Sequence, residues 1–315
     1  MSLFKGPMRQ HIPGHKELSD HVDIMEVKAG SKVFIPLICG PSVNLEILVK
    51  EGDHVSIGTK VAQCNERNVV PIFASVSGTV AGTQKLMHSS LKPVEHLVIE
   101  NDGLYERVRS FEPLDYKSAD RTALIDFMMN AGIIGLGGAG FPAYIKYKFA
   151  KDVKKLIINA VECEPFITAD YKMIQAHKEE FVTGVAAMKK MAMAPEAVIA
   201  IKKTHPDLIQ FVEEAVKGME GFSVAAVPDV YPMGWERVLV REIMHAEYEK
   251  LPGEVGAIVN NATTAIAFGD ALLTGTPIVS KTLTVSGNAI KKPVNVQVPV
   301  GVPVSEIVAA CGGYT

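Results

Sequence analysis

The 315-residue sequence is 48% hydrophobic and 21% charged, enough apolar material for two or three packed modules and unlike the composition of a disordered chain. Its net charge of -3 leaves no basic surplus to neutralise a run of phosphates, which argues against nucleic acid as a partner. No apolar run reaches the roughly 18 to 20 residues of a membrane-spanning helix, and the opening "MSLFKGPMRQHIPGHK" lacks the apolar core of a signal peptide, so a cytoplasmic location is expected.

After an N-terminal segment, residues 1–30, the stretch 31–115 reads as short strands between turns: "KVFIPLI", "NLEILVKEGDHVSIGTKVAQC", "VVPIFASVSGTVAGT" and "EHLVIEND". The pair "VKEGDHVSIGTKVA" and "IFASVSGTV" resembles the barrel-sandwich hybrid of biotinyl and lipoyl carriers. Those carriers present a modifiable lysine on the hairpin between their halves, and here that hairpin reads Asn65-Glu66-Arg67-Asn68. The module is therefore expected to be structural or a docking surface.

From residue 116 to 276 the apolar spacing becomes helical and strands alternate with helices. "ADRTALIDFMMNAG" predicts a helix capped by Asp120 and stopped by Gly132. Then come the strand "KKLIINAV", one long helix "ADYKMIQAHKEEFVTGVAAMKKMAMA", the strand "AVIAIKK", and the helix "HPDLIQFVEEAVKGM" with Thr204 as its expected cap. The strand "FSVAAVP", helix "WERVLVREIMHA", strand "VGAIVN" and helix "TTAIAFGDALLTG" complete a series that predicts a parallel α/β sheet with helices on both faces. Residues 277–315 are strand-rich again, close on a short helix, and predict a small β-grasp-like module.

Three segments carry the residue types of a binding site. In "GLGGAGFPAYIKYKF", Gly135, Gly137 and Gly140 satisfy GxGxxG, whose glycines allow a tight turn and close backbone approach to phosphate. A Rossmann turn needs a strand before it, and the residues before Gly135 read as helix. The pattern therefore predicts a phosphate-binding glycine loop in another α/β arrangement. "NAVECEP" follows a strand directly, where open parallel sheets place their ligands, and carries Glu162 and Glu164 two residues apart. Cys163 lies between them without an assignable base. "YPMGWERVL" combines Tyr231, Gly234, Trp235 and Glu236. The nine histidines show no zinc-hydrolase spacing, and Cys39, Cys64, Cys163 and Cys311 form no CxxC pair, so neither a metal nor a disulfide framework is expected.

Together with "NNATTAIAFGDALLTGTPIVSKTLTVSG", "PVNVQVPVGVP" and the amino-terminal "FKG", these motifs occur in the order and near the spacing of the RnfC family, the peripheral subunit of ion-pumping complexes that couple ferredoxin and NADH. The same core is similar to the flavin subunit of respiratory complex I and to cobalamin reductases of the RnfC type. The resemblance implies an FMN and NADH site in a central α/β domain, flanked by an N-terminal barrel-sandwich hybrid and a C-terminal β-grasp, soluble-ligand-binding module. It assigns Gly135, Gly137, Gly138, Gly140 and Lys146 to the FMN loop, and Asn159, Glu162, Tyr231, Gly234, Glu236, Asn261 and Thr264 to the flavin pocket. Phe141, Phe149 and Glu164 are implied to face NADH. The implied activity is electron transfer from NADH through FMN to an iron-sulfur or other redox partner. The implied partners are other subunits of a redox complex, which would hold the chain on the inner face of a membrane.

Family members commonly have Phe-Pro-Thr where this chain has Ala143, and Gly-Gly-Glu where it has Trp235, an indole able to narrow the pocket. They also continue into two CxxCxxCxxxC motifs, whereas this sequence stops at "CGGYT": either it is a piece of a longer chain, or it is a short relative that hands electrons to a separate iron-sulfur carrier; no iron-sulfur cluster is expected on these residues. The alternatives are a non-catalytic docking scaffold that has lost flavin binding, and a reductase component for cobalamin or an amino-acid reductase system.

Overall fold

The computed structural model describes residues 11–39, 44–63, 69–88, 90–138 and 140–315. The Asn65–Asn68 hairpin, Cys64 and the "FKG" segment lie outside the described residues. Among the described residues a 3-10 turn (Lys16–Leu18) and a two-residue strand, β1 (Met25–Glu26), precede the β-module, which is built from β2 (Lys32–Pro36), β3 (Glu46–Ile47), β4 (His54–Val55), β5 (Lys60–Gln63), β6 (Ile72–Phe73), β7 (Gly78–Met87) and β8 (Pro93–Asn101). Two antiparallel sheets result, ordered β2-β8-β7-β4 and β3-β5-β6. They close over Val33, Ile35, Val61, Val76, Val80, Leu97 and Ile99; along β2, Val33 and Ile35 alternate with exposed or half-buried neighbours, the signature of a strand buried on one face.

The α/β region follows in the predicted order, with one short helix (Tyr144–Lys148) added inside the glycine-loop segment. It consists of α1 (Arg121–Asn130), α2 (Tyr144–Lys148), β9 (Lys155–Ala160), α3 (Ala169–Ala176), α4 (Lys178–Ala192), β10 (Glu196–Lys202), α5 (Pro206–Ala215), β11 (Phe222–Val227), α6 (Glu236–Met244), β12 (Ala257–Asn261) and α7 (Ala262–Thr274). Asp120 caps α1 by accepting the Ala123 amide at 2.8 Å, and Gly132 follows it at φ 74°, both as expected. The expected single helix over residues 169–194 is two: His177, at φ -127° and ψ 55°, ends α3 and starts α4. The apolar period runs through this break unchanged, but Glu179 and Glu180 in the first turn of α4 suit a fresh helix N-terminus. Helix α5 is capped at His205, one residue beyond Thr204, because Pro206 occupies the first helical position and needs no hydrogen-bond acceptor there.

The four parallel strands are ordered β11-β10-β9-β12. Leu156 and Ile158 of β9 face the core shared with α1, α3, α4, α5 and α7, while Ile157 faces the core shared with α6, so helices cover both faces. The chain steps outward from β9 through β10 to β11 and then returns to the other side of β9 as β12. The gap between β9 and β12 is therefore a topological switch point, where such sheets open a crevice at their carboxyl ends.

The last module contains β13 (Ser280–Val285), β14 (Val294–Pro299) and α8 (Val304–Ala310). Its sheet is completed by β1, which pairs in parallel with β14 at Met25 and Val296. The N-terminal segment thus adds a strand to the C-terminal module. Among the described residues no helix is long and apolar enough to cross a membrane.

Candidate functional site

Asn159 and Asn261 are register partners on β9 and β12, at the carboxyl side of the switch point. Asn159 donates from Nδ2 to the Gly234 carbonyl at 2.8 Å, which joins the end of β9 to the turn before α6. Asn261 caps α7 by accepting the Thr264 amide at 3.2 Å. Thr264, fully buried, accepts the Leu136 amide at 2.9 Å, and Lys281 on β13 donates to the Leu136 carbonyl at 2.8 Å. These two bonds fix the glycine loop over the crevice.

The loop lies close enough to α7 that a Cβ on Gly137 would sit 2.7 Å from the Asn261 side chain. A Cβ on Gly138 would meet no protein atom within 4 Å. Gly140 takes φ 67°, a left-handed conformation that glycine adopts at little cost. Beneath the loop is a cleft of about 270 Å³ whose lining includes Gly135, Gly137, Gly138, Phe141, Lys146, Asn159, Gly234, Glu236 and Asn261. Lys146 donates to the Val259 carbonyl at 2.6 Å and lies 3.6 Å from the Glu236 carboxylate. Burial lowers the pKa of this ammonium, and the Glu236 charge opposes that shift.

A second cleft, about 300 Å³, shares Gly137, Asn159, Gly234 and Asn261 with the first and is bordered by Glu162, Glu164, Asp170 and Lys281. Glu162, at φ 31°, accepts the Asp170 and Tyr171 amides at 2.9 and 3.1 Å, so its carboxylate closes the N-terminus of α3. Burial, with the Asp170 charge second, pushes its pKa up to about 7. Asp170 is also raised by burial; it accepts from the Asn261 amide and, at 2.5 Å, from the Thr263 hydroxyl. Glu164 is exposed. The Cys163 thiol is pushed up to about 11, by burial first and by Glu164 second, which leaves it protonated and a poor nucleophile at neutral pH.

Twelve of the fifteen residues assigned from sequence line these clefts or support them as described, and three stand further out. Gly140 lines a neighbouring apolar cavity beside Ile134 and Phe73. Tyr231 packs edge-on against Trp235 at 5.9 Å, and Phe149, 66% exposed, ends α2 outside the cleft linings. Trp235 is 48% exposed and lines neither cleft, so its bulk does not fill the pocket. Asp170 and Lys281 were not legible as site residues, because the partners of their side chains lie 91 residues away or more. A larger cavity of about 310 Å³, lined in part by Glu180, Asp270 and Lys281, contains none of the glycines.

The Nuo51 FMN-binding domain matches residues 128–269, the RnfC barrel sandwich hybrid domain residues 4–104, and the SLBB domain residues 282–315. A subunit of the Na(+)-translocating ferredoxin:NAD(+) oxidoreductase complex of Acetobacterium woodii is 32% identical over 317 residues, covering 99% of this chain and 71% of its own. Its counterpart in the proton-translocating ferredoxin:NAD(+) oxidoreductase complex of Clostridium ljungdahlii is 32% identical over 319 residues, covering 100% and 69%. Among solved structures, an NAD+-reducing NiFe-hydrogenase in the H2-reduced state aligns with a TM-score of 0.55 at 22% identity, over 62% of this chain and 40% of that one, a likeness of fold. The architecture is thus a central parallel-sheet α/β domain between a barrel-sandwich hybrid and an SLBB module.

Proposed function

The chain belongs to the RnfC family of electron-transfer subunits, and from that premise we propose that its paired clefts bind FMN and NADH and pass electrons from NADH to a redox partner. The observation that carries the reading is the junction of the two clefts across Gly137, Asn159, Gly234 and Asn261 at the switch point of the sheet. One wall is bare backbone with a lysine beneath it, and the other is acidic.

The glycine cleft fits FMN on the terms of its own donors. Gly138 leaves backbone without a side chain toward the open space, Gly135 packs its backbone against that of Phe141, and Lys146 supplies a cation partly balanced by Glu236. Asn159, Glu162, Gly234, Glu236 and Asn261 stand as the polar rim of the flavin pocket. Thr264 acts at one remove through Leu136, whereas Tyr231, packed on Trp235, stands outside the lining. Phe141, 44% exposed on the cleft lining, and exposed Glu164 mark the side from which NADH enters, with Phe149 further out. FMN, when bound, supplies the exchange between two-electron and one-electron chemistry; the protein supplies orientation and charge.

The partners in this reading are other subunits of a redox complex and an iron-sulfur carrier, which hold the chain peripherally on the inner face of a membrane. To test the assignment, FMN is titrated into the purified chain and NADH is then added without oxygen. Binding at micromolar FMN, followed by bleaching near the flavin absorbance maximum, is expected. Absence of both overturns the reading.

A further inference from the structure

The segment ahead of the β-module crosses the loop that carries Glu162 and Glu164 and grips it at several points. Lys16 is only 9% exposed, an unusual burial for a lysine. Its Nζ donates to the Glu164 carbonyl at 3.1 Å and to the Ile167 carbonyl at 2.5 Å. Between those carbonyls Phe166 takes φ 71°, and upstream Glu162 takes φ 31°, both left-handed conformations that side-chain-bearing residues keep only when their surroundings impose them. The Phe166 amide donates to the Gly14 carbonyl at 2.6 Å, the His15 ring stacks on Phe166 at 5.0 Å, and the Ser19 hydroxyl meets that of Thr168 at 2.8 Å.

The ammonium spends its donors on backbone carbonyls. Its charge then acts through space on Glu162, Glu164 and Asp229, with Lys202 opposing. We propose that Lys16 is a positioning residue for the NADH-facing cleft: by holding the carbonyls of Glu164 and Ile167 it sets the backbone from which Glu162 closes α3 and Glu164 faces the cleft. This inference rests on the nucleotide reading above and names a residue 146 positions before Glu162, on a segment outside the α/β domain.

Two measurements on the intact chain test it. Hydrogen exchange follows the Asp170 and Tyr171 amides, which donate to Glu162. In Lys16→Met they are expected to exchange at least tenfold faster than in the wild type; unchanged exchange overturns the proposal. Steady-state NADH oxidation by the FMN-loaded protein, with ferricyanide as acceptor, is then expected to show KM for NADH raised tenfold or more, while kcat stays within twofold and the FMN Kd, to which Glu162 contributes at the rim, rises by less than the KM. Ser19→Ala loosens the same segment without touching the ammonium, and its KM is expected within twofold of wild type. A KM rise in Ser19→Ala equal to that in Lys16→Met, or a joint collapse of KM, kcat and FMN affinity in Lys16→Met, reduces Lys16 to a general prop and overturns the proposal. If the wild-type chain neither binds FMN nor oxidises NADH, the nucleotide reading fails by itself, and the exchange measurement still decides whether Lys16 holds the acid loop.

Discussion

Gly137 and Gly138 are adjacent in the glycine loop and answer to different neighbours. Gly138→Ala adds a methyl group that meets no protein atom and imposes no backbone strain, so thermal stability is expected within about 1 °C of wild type. The methyl enters the space assigned to FMN, and an FMN Kd raised about tenfold or more, about 1.4 kcal/mol, is expected in a fluorescence titration. An unchanged Kd would remove the loop from the flavin site. Gly137→Ala instead pushes on Asn261, the α7 cap, and is expected to lower stability and FMN affinity together. Glu162 carries a pH dependence of a particular sign. Its folded pKa, about 7, lies above the ordinary 4.5, so between these values the folded chain holds a proton that the unfolded chain has released. Stability is therefore expected to fall as pH rises from about 4.5 to about 7, by about 1 to 3 kcal/mol from this group. Melting temperatures across that range should show the decline in the wild type and a flatter profile in Glu162→Gln.

Helices α4 and α7 touch backbone to backbone, and two glycines make this possible. A Cβ on Gly184 would fall inside the Ala265 carbonyl, and one on Gly269 inside the carbonyl of Glu180. Either residue replaced by alanine forces the helices apart, and a loss of about 1 to 3 kcal/mol, seen as a lower melting temperature, is expected for each. A neutral Gly184→Ala would mean that the helices do not approach so closely. Helix propensity alone would have predicted the reverse, since alanine is the better helix former. That contrast marks what was legible in the residues. The strands and helices of the α/β region were readable because their apolar period is local, as were the Asp120 cap and the Gly132 stop. The break at His177 was not, because the period passes through it and the cause lies in where each half packs. In the site, the loop glycines and the two glutamates were visible as motifs, and Lys146 through the family resemblance. Asp170, Lys281 and Lys16 were not, because each is fixed by a partner distant in sequence and none belongs to a recognisable spacing. The strand order that creates the switch point is equally non-local.

The modules that look separate in composition share interiors. Cys39, Val69 and Val70 of the β-module belong to the same apolar cluster as Leu124, Phe181 and Phe268 of the α/β region. Ser75 donates to the Val300 carbonyl at 2.6 Å, and the Phe34 amide to the Gly301 carbonyl at 2.9 Å, which ties the β-module to the C-terminal one. A further junction is a buried side-chain network. Asn295 on β14, fully buried, accepts the Thr284 hydroxyl at 2.6 Å and donates to the Thr168 hydroxyl at 2.8 Å, next to Ser19 of the N-terminal segment. One amide therefore meets the start of α3, strand β13 and, through Thr168, the segment that holds the acid loop. Such a satisfied buried network resists piecemeal opening, because freeing any one element strands polar groups of the others without partners. Calorimetry of the intact chain is expected to give a single endotherm. Asn295→Ala leaves the Thr168 and Thr284 hydroxyls short of partners and is expected to cost about 3 kcal/mol. The whole endotherm should move to lower temperature, because the three modules unfold together; a variant that instead splits it into two transitions would show that the C-terminal module is an independent unit.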